Sequence, residues 1–218
     1  MSKHYLHHRI QARSLAWQAV SDGLNSQAGA LEAAGRRLYG IWRNQIGRER
    51  DEINAITCWD DVALGRSTIT ALLAARDDVV SCDTWAMHPT LRPETDDAPR
   101  RQGNYAFRFF RTPPENWEEF LQLCANAWPG FEASYEDCQI IGLWRYDAGM
   151  GDGDLIHSLL LTRRPDLASW ERTKLPQGEV ETEVRRKLSR RYDLCESTYV
   201  HTTTLLTASD AQDQARWT

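Results

Sequence analysis

Histidine and arginine are the side chains through which this chain can do chemistry, and a few of each stand at informative positions. His157 lies in an alternating stretch, 155–162, on the face shared by Leu155 and Leu159. His201 lies with Tyr199 and Thr203 in a second such stretch, 197–206. An imidazole titrates near working pH, so either can move a proton as general acid or base. A histidine on an apolar strand face is also a common hydrogen-bonded core residue. His157 is the leading candidate because it follows a glycine-rich turn, Gly149-Met150-Gly151-Asp152-Gly153, and precedes no helix that would make that turn a phosphate cradle. Its strand is expected to pair with the one carrying Arg145, and Tyr146 and Asp147 stand where they could orient it.

Arg145 belongs to a stretch that occurs twice. Gly40-Ile41-Trp42-Arg43 recurs as Gly142-Leu143-Trp144-Arg145, each followed after three intervening residues by another glycine. A repeat of about 100 residues is too long for a solenoid and points to two copies of one small domain. On a strand, Trp and Arg of each pair point to opposite faces. If the tryptophans pack under helices, Arg43 and Arg145 look the other way, where guanidinia can hold an anion or carbonyl by forked hydrogen bonds. A plain ion pair at a barrel mouth or edge with Asp147 or Glu52 is the more ordinary reading of the arginines, and the converse geometry, with Trp42 and Trp144 lining a cavity, is also open. Nine tryptophans among 218 residues make ring contacts a theme. Tyr105, Phe107 and Phe109 share one strand face and form a flat apolar wall, which serves a core or a pocket for a ring-containing ligand. Trp144, Tyr146, Trp42, Tyr105, Phe107 and His201 are therefore the expected substrate contacts, with His157, Arg145 and Arg43 as the catalytic set.

The elements that must position these residues read the same way in both halves. In the first, strand 5–13 is followed by helical periodicity from Ser14 to Gly35, strand 38–45, strand 52–59, a helix capped by Asp60 or Asp61, and strand 79–87. In the second, strand 104–111 precedes a helix ending at Pro129-Gly130, strands 138–147 and 155–162, helical residues broken by Pro176-Gln177-Gly178, and strand 197–206. Each half is β-α-β-β-α-β, the ferredoxin-like arrangement of an antiparallel sheet with helices on one face. Three prolines within 88–103 mark a linker, which sets the units at 1–90 and 104–207 with a linker at 91–103 and a tail at 208–218.

Tyr39-Gly40-Ile41-Trp42, then Ile46-Gly47, then Glu52-Ile53 and Ile56-Thr57-x-Trp59-Asp60 resemble the NIPSNAP family of the dimeric α/β-barrel superfamily. The second half lacks the Trp-Asp ending and reads Leu161-Thr162-Arg163, so there the likeness rests on the repeat. The resemblance implies an α+β fold of two tandem ferredoxin-like units forming a pseudo-dimeric α/β barrel. The superfamily holds cofactor-free monooxygenases, lactone isomerases, aldoxime and haem-linked enzymes and proteins without known activity, so the fold says little about the reaction. The expected function is a cofactor-free enzyme (isomerase, hydratase or monooxygenase type) acting on a small apolar molecule inside the barrel. Its rival is a non-catalytic ligand-binding or assembly protein of the NIPSNAP type.

Composition narrows the rest. A net charge of −5 argues against nucleic acid as a partner, and the basic run Arg185, Arg186, Lys187, Arg190, Arg191 follows Glu179, Glu181 and Glu183 as one solvated helix face. No apolar run is long enough for a membrane span, and Met1–Ile10 has no signal-peptide core. Five scattered cysteines without Cys-x-x-Cys suit a reducing cytoplasm. His4, His7 and His8 have no nearby carboxylate and are not expected to bind metal. Haem would need a proximal ligand such as His157 or His201, and no further feature favours it, so no cofactor is expected. A homo-oligomer is compatible with all of this.

Overall fold

Alternating burial along the strands and single apolar stripes on the helices build two sheets, each with helices against one face. The structure, a computed structural model, describes residues 4–147 and 153–210. The expected glycine-rich turn therefore lies outside the described residues apart from Gly153, as does the tail beyond residue 210. The elements in chain order are β1 (His4–Ala12), α1 (Trp17–Asn25), α2 (Ala28–Ala33), β2 (Arg37–Ile46), β3 (Glu52–Trp59), α3 (Val62–Ala74) and β4 (Val79–Arg92). Then follow β5 (Asn104–Thr112), a 3-10 turn (Pro114–Asn116), α4 (Trp117–Ser134), β6 (Gln139–Tyr146), β7 (Ile156–Arg164), α5 (Leu167–Arg172), α6 (Gly178–Asp193) and β8 (Ser197–Leu205). The fold is α+β, and among the described residues no helix is long and apolar enough to cross a membrane.

Two compact units result: residues 4–88, 95–102 and 201–210, and residues 89–94, 103–147 and 153–200. In the first, β1 pairs with β3 and β4, and β2 with β3, giving the order β4-β1-β3-β2. In the second the order is β8-β5-β7-β6. Both are the ferredoxin-like order expected. The unit boundary differs from the expected one because strands outrun it. Residues 88–92, expected as linker, extend β4: Thr90 Oγ1 donates to the Leu143 carbonyl at 2.9 Å, and Arg92 Nη1 donates to Glu132 at 2.8 Å and to the Ile140 carbonyl at 3.2 Å. The end of β8 pairs with β2, Thr203 opposite Asn44 and Leu205 opposite Trp42, so it belongs to the first unit.

In the first unit Leu6, Ile10, Ile41, Ile53 and Trp59 of the sheet bury Val20, Leu24, Leu31, Ile69 and Leu73 of the three helices. In the second, Phe110, Ile140, Leu143, Ile156 and Leu160 pack against Phe120, Cys124, Trp128 and Phe131 of α4 and Val184 of α6. The single helix expected over 14–35 is instead α1 and α2, broken at Ser26-Gln27, where Ser26 Oγ donates back to the Gly23 carbonyl at 2.8 Å. The expected end of α4 at Pro129-Gly130 is also corrected. The helix runs on to Ser134, because Phe131 is a core residue and Gly130 lies beneath Val184 of α6, which an added Cβ would meet at 2.8 Å.

Asp61 is the cap of α3: its carboxylate accepts from the Leu64 N–H at 2.7 Å. Asp61→Ala is expected to cost about 1 kcal/mol, read as a lower urea midpoint at unchanged slope.

Candidate functional site

The repeated motif owes its glycine to its tryptophan. Residues 40 and 42 point the same way on a strand, and the Trp42 ring folds back over Gly40 so closely that a Cβ there would lie 2.4 Å from Cη2. Gly142 and Trp144 repeat this at 2.3 Å. Both strands also slip register by one residue just before the glycine, between Leu38 and Gly40 in β2 and between Ile140 and Gly142 in β6. Ile41 and Leu143 belong to the helix-covered cores, so Trp42 and Trp144 face away from the helices and Arg43 and Arg145 share the helix side. Of the two orientations left open by the sequence, the structure takes the second.

That decides what the expected catalytic residues touch. Arg43 lies 4.0 Å over the ring of Trp17 in α1, its charge disfavoured first by burial and then by Arg50. Arg145 is exposed. His157, on the face away from the helices, opposes Arg111 across β5–β7. Burial, and then Arg111, lower its pKa, and its Nε2 is buried without a partner. Arg145 instead pairs in register with Ser158, so Arg145 and His157 project from opposite faces of one sheet. The structure does not bring them together, and the joint site expected from His157 and Arg145 is corrected on that ground. The expected substrate contacts Trp42, Trp144, Tyr146, Tyr105 and Phe107 are all buried on the face away from the helices. Tyr105, Phe107 and Phe109 form the wall expected, and Phe109 stacks on Tyr199 at 4.7 Å.

His201 belongs to a buried polar network of the first unit. Its Nε2 lies 3.5 Å from Asn54 Nδ2, which also donates to Asn44 Oδ1 at 3.0 Å; His7 Nε2 meets Asn54 Oδ1 at 3.0 Å, and Asn44 donates to Glu52 at 2.9 Å. Arg48 completes it on Glu52, whose pKa falls because the Arg48 and Asn44 hydrogen bonds outweigh burial. Arg9 makes its close ion pair with Asp83 at 2.6 Å. Among the described residues no cluster of His, Cys, Asp and Glu suits a metal ion.

Arg43 lines a cavity of about 400 Å³ in the first unit with Trp17, Asn44, Arg48 and Arg50, and a further cavity was missed at the sequence level. It lies in the second unit, on the helix side, with a volume of about 230 Å³, lined by Trp128, Phe131, Trp170 and Tyr192 and by Arg108, Arg164, Arg185, Arg191 and Lys174. Arg164 sits 4.5 Å over Trp170 and donates to Thr162 Oγ1 at 2.9 Å. Arg108 lies 5.5 Å from the Tyr192 ring, and Arg191, only 3% exposed, 5.3 Å from it. Arg191 therefore departs from the solvated face expected for 185–191, whereas Arg186 and Arg190 do point out and pair with Glu183 and Glu119. Elsewhere in this unit carboxylates take up the arginines: Asp137 the buried Arg163, Glu181 Arg172, Glu132 Arg92. Among the described residues none reaches Arg108, Arg164 or Arg191; Arg191 Nη1 donates to Cys124 Sγ at 3.5 Å, and the Nε of Arg164 and Arg191 is buried without a partner. Burial pulls the Arg164 guanidinium down to about 10, which leaves it charged at neutral pH, and lowers Arg108 as well. Arg108 between Ala106 and Phe110 on a strand face, and Arg191 in helical phase with Val184 and Leu188, were the available signals: cations at core positions.

Scanned against models of protein families and against curated protein sequences, the chain matches none. Solved structures do match over nearly its whole length. An anthrone oxidase-like protein superposes with a TM-score of 0.62 at 12% identity, covering 97% of each chain. The chain shares the fold of that structure. A Lactobacillus acidophilus protein named for a monooxygenase matches with a TM-score of 0.60 at 11% identity over 95% of this chain and 98% of its own. A heme-binding protein from Thermus thermophilus matches at 0.57 and 14% identity over 94% and 91%. This last neighbour overturns the expectation that no cofactor is involved, since a protein of the same fold is described as binding heme.

Proposed function

We propose that the chain is an oxidative enzyme of the monooxygenase type whose reacting molecule lies in the helix-side cavity of the second unit. The observation that carries this reading is a ring-lined cavity with three guanidinia that no carboxylate among the described residues neutralises. The neighbours named for anthrone oxidase and monooxygenase support the reaction type. Trp128, Phe131 and Trp170 would hold a ring-containing molecule, and Arg108 and Arg164 would stabilise negative charge developing on its oxygen. That charge favours an oxygen-bearing ring over the purely apolar molecule the aromatic content suggested. The NIPSNAP-like motif over 38–61 supports kinship with that family, and the paired glycine–tryptophan segments support descent of both units from one ancestor.

Haem is the cofactor brought forward by the Thermus neighbour. The cavity fits it in kind: guanidinia for propionates, aromatic side chains for a macrocycle, and Tyr192, the one lining side chain of a class that ligates haem iron. When bound, haem would supply a redox-active iron; Arg164, Arg108 and Lys174 would hold its carboxylates and Tyr192 the metal.

Oxygen uptake with a panel of phenols and ring ketones tests the function, on protein as purified and after haemin addition. Arg108→Met is expected to lower kcat about 100-fold if this guanidinium stabilises the oxyanion. No uptake with any compound, with or without haemin, would sink the enzymatic reading and leave the binding protein.

A further inference from the structure

We propose that the cavity of the second unit is a carboxylate receptor, its ligand a planar aromatic carboxylate seated on Arg164, Arg108 and Arg191. The inference rests on the reading of this cavity as the functional site and adds the substrate class. Removing a guanidinium from water is costly unless a partner returns the lost hydration. Among the described residues Glu132, Asp137 and Glu181 pair with other arginines, and the hydrogen bonds of Arg164 and Arg191 go to neutral groups, Thr162 Oγ1 and Cys124 Sγ, so no carboxylate partner is in place. An oxyanion formed during reaction exists only briefly and cannot offset three permanent cations; a permanently charged ligand can.

Geometry narrows the anion. Arg164 and Arg108 lie against the aromatic rings of Trp170 and Tyr192, and of the Arg164 fork only Nη1 is engaged, by Thr162 Oγ1. The Nε of Arg164 and of Arg191 are among the unbonded atoms. A flat carboxylate attached to a flat ring matches both the fork and the aromatic walls. Two sources share this chemistry: a small aromatic acid, for which about 230 Å³ suffices, and a haem held through its propionates.

Quenching of tryptophan fluorescence and calorimetry with 2-naphthoate, 2-naphthamide, haemin and haemin dimethyl ester separate the cases. Acids are expected to bind about 30-fold more tightly than their neutral counterparts. Small-acid binding identifies a free aromatic acid, and binding of haemin alone, lost in its ester, identifies the porphyrin source. Arg191→Leu is expected to abolish binding while its thermal midpoint stays level or rises, because a buried charge that no described carboxylate neutralises has been removed; a structural arginine would lower it. Arg164→Lys, which keeps the charge and loses the fork, is expected to bind at intermediate strength. Equal affinity for acid and amide, or displacement of naphthoate by equimolar inorganic phosphate, would overturn the carboxylate assignment while leaving the oxygen-uptake test untouched. Absence of binding by all four compounds would overturn it too.

Discussion

Lowering the pH from 7.5 to 5 is expected to remove about 6 kcal/mol from the stability of this protein. Three histidines of the first unit are almost wholly buried: His7, His8 and His201. Burial is the largest cause in each, bringing His7 down to about 4 and His8 and His201 to about 3, against an ordinary value of 6.5. His8 has both ring nitrogens engaged, Nδ1 by Thr84 Oγ1 at 2.8 Å and Nε2 by Thr57 Oγ1 at 2.9 Å. These groups stay neutral in the fold but take up protons when the chain unfolds. Their contribution is therefore fully present above pH 6.5 and is lost as pH falls from there toward 3–4. Each costs about 1.4 kcal/mol per pH unit in that window, and 1.5 units for three histidines gives the total. Single domains have roughly 5–15 kcal/mol to lose, so this is a large share of the whole. Urea titrations at pH 7.5, 6 and 5 check this. His8→Gln should reduce the slope of stability against pH by one proton, and a level profile from 7.5 to 5 would refute the account.

Gly142→Ala is expected to cost about 3 kcal/mol or more, at the upper end for overpacking a core. The new Cβ would lie 2.3 Å from Cη2 of Trp144 and 2.7 Å from two further ring atoms. Trp144 is fully buried and cannot swing into solvent. Gly40→Ala under Trp42 should behave alike, at 2.4 Å from the ring. Gly29→Ala is the control, since nothing lies within 4 Å of its added Cβ; in a helix it should be neutral or stabilising by about 0.5 kcal/mol. If the Gly142 and Gly29 variants melt alike, the ring does not rest on the strand as described. Trp144→Leu in the Gly142→Ala background should recover part of the loss, since the two changes share one space.

The repeat made sense in sequence as a duplicated tetrapeptide, but its cause is this contact: an indole needs its neighbour two residues back to be glycine. Arg43 and Arg145 follow only because the next residue points the other way, and their shared identity carries no shared site.

Alternation of period two and helical stripes were enough to place the eight strands of the described residues and the β-α-β-β-α-β order of each unit, and narrowed the cap of α3 to Asp60 or Asp61. These depend on nearest neighbours along the chain, and local chemistry is written locally. The end of α4 was misread at Pro129-Gly130 because what keeps that helix going, Phe131 in the core and Val184 over the glycine, lies far off in sequence. The linker was misread for the same reason, since Thr90 and Arg92 find their acceptors on β6 and α4. Which face of a strand meets the helices is likewise a tertiary decision, and it separates His157 from Arg145. The cavity is the furthest from sequence of all. Arg108, Arg164 and Arg191 come from a strand, another strand and a helix, and a guanidinium is recognisable as uncompensated only when every carboxylate near it has been placed. Sequence determined the repeating architecture and the residues that can be charged; packing decided which charges are left without a partner, because compensation is a property of three-dimensional neighbours.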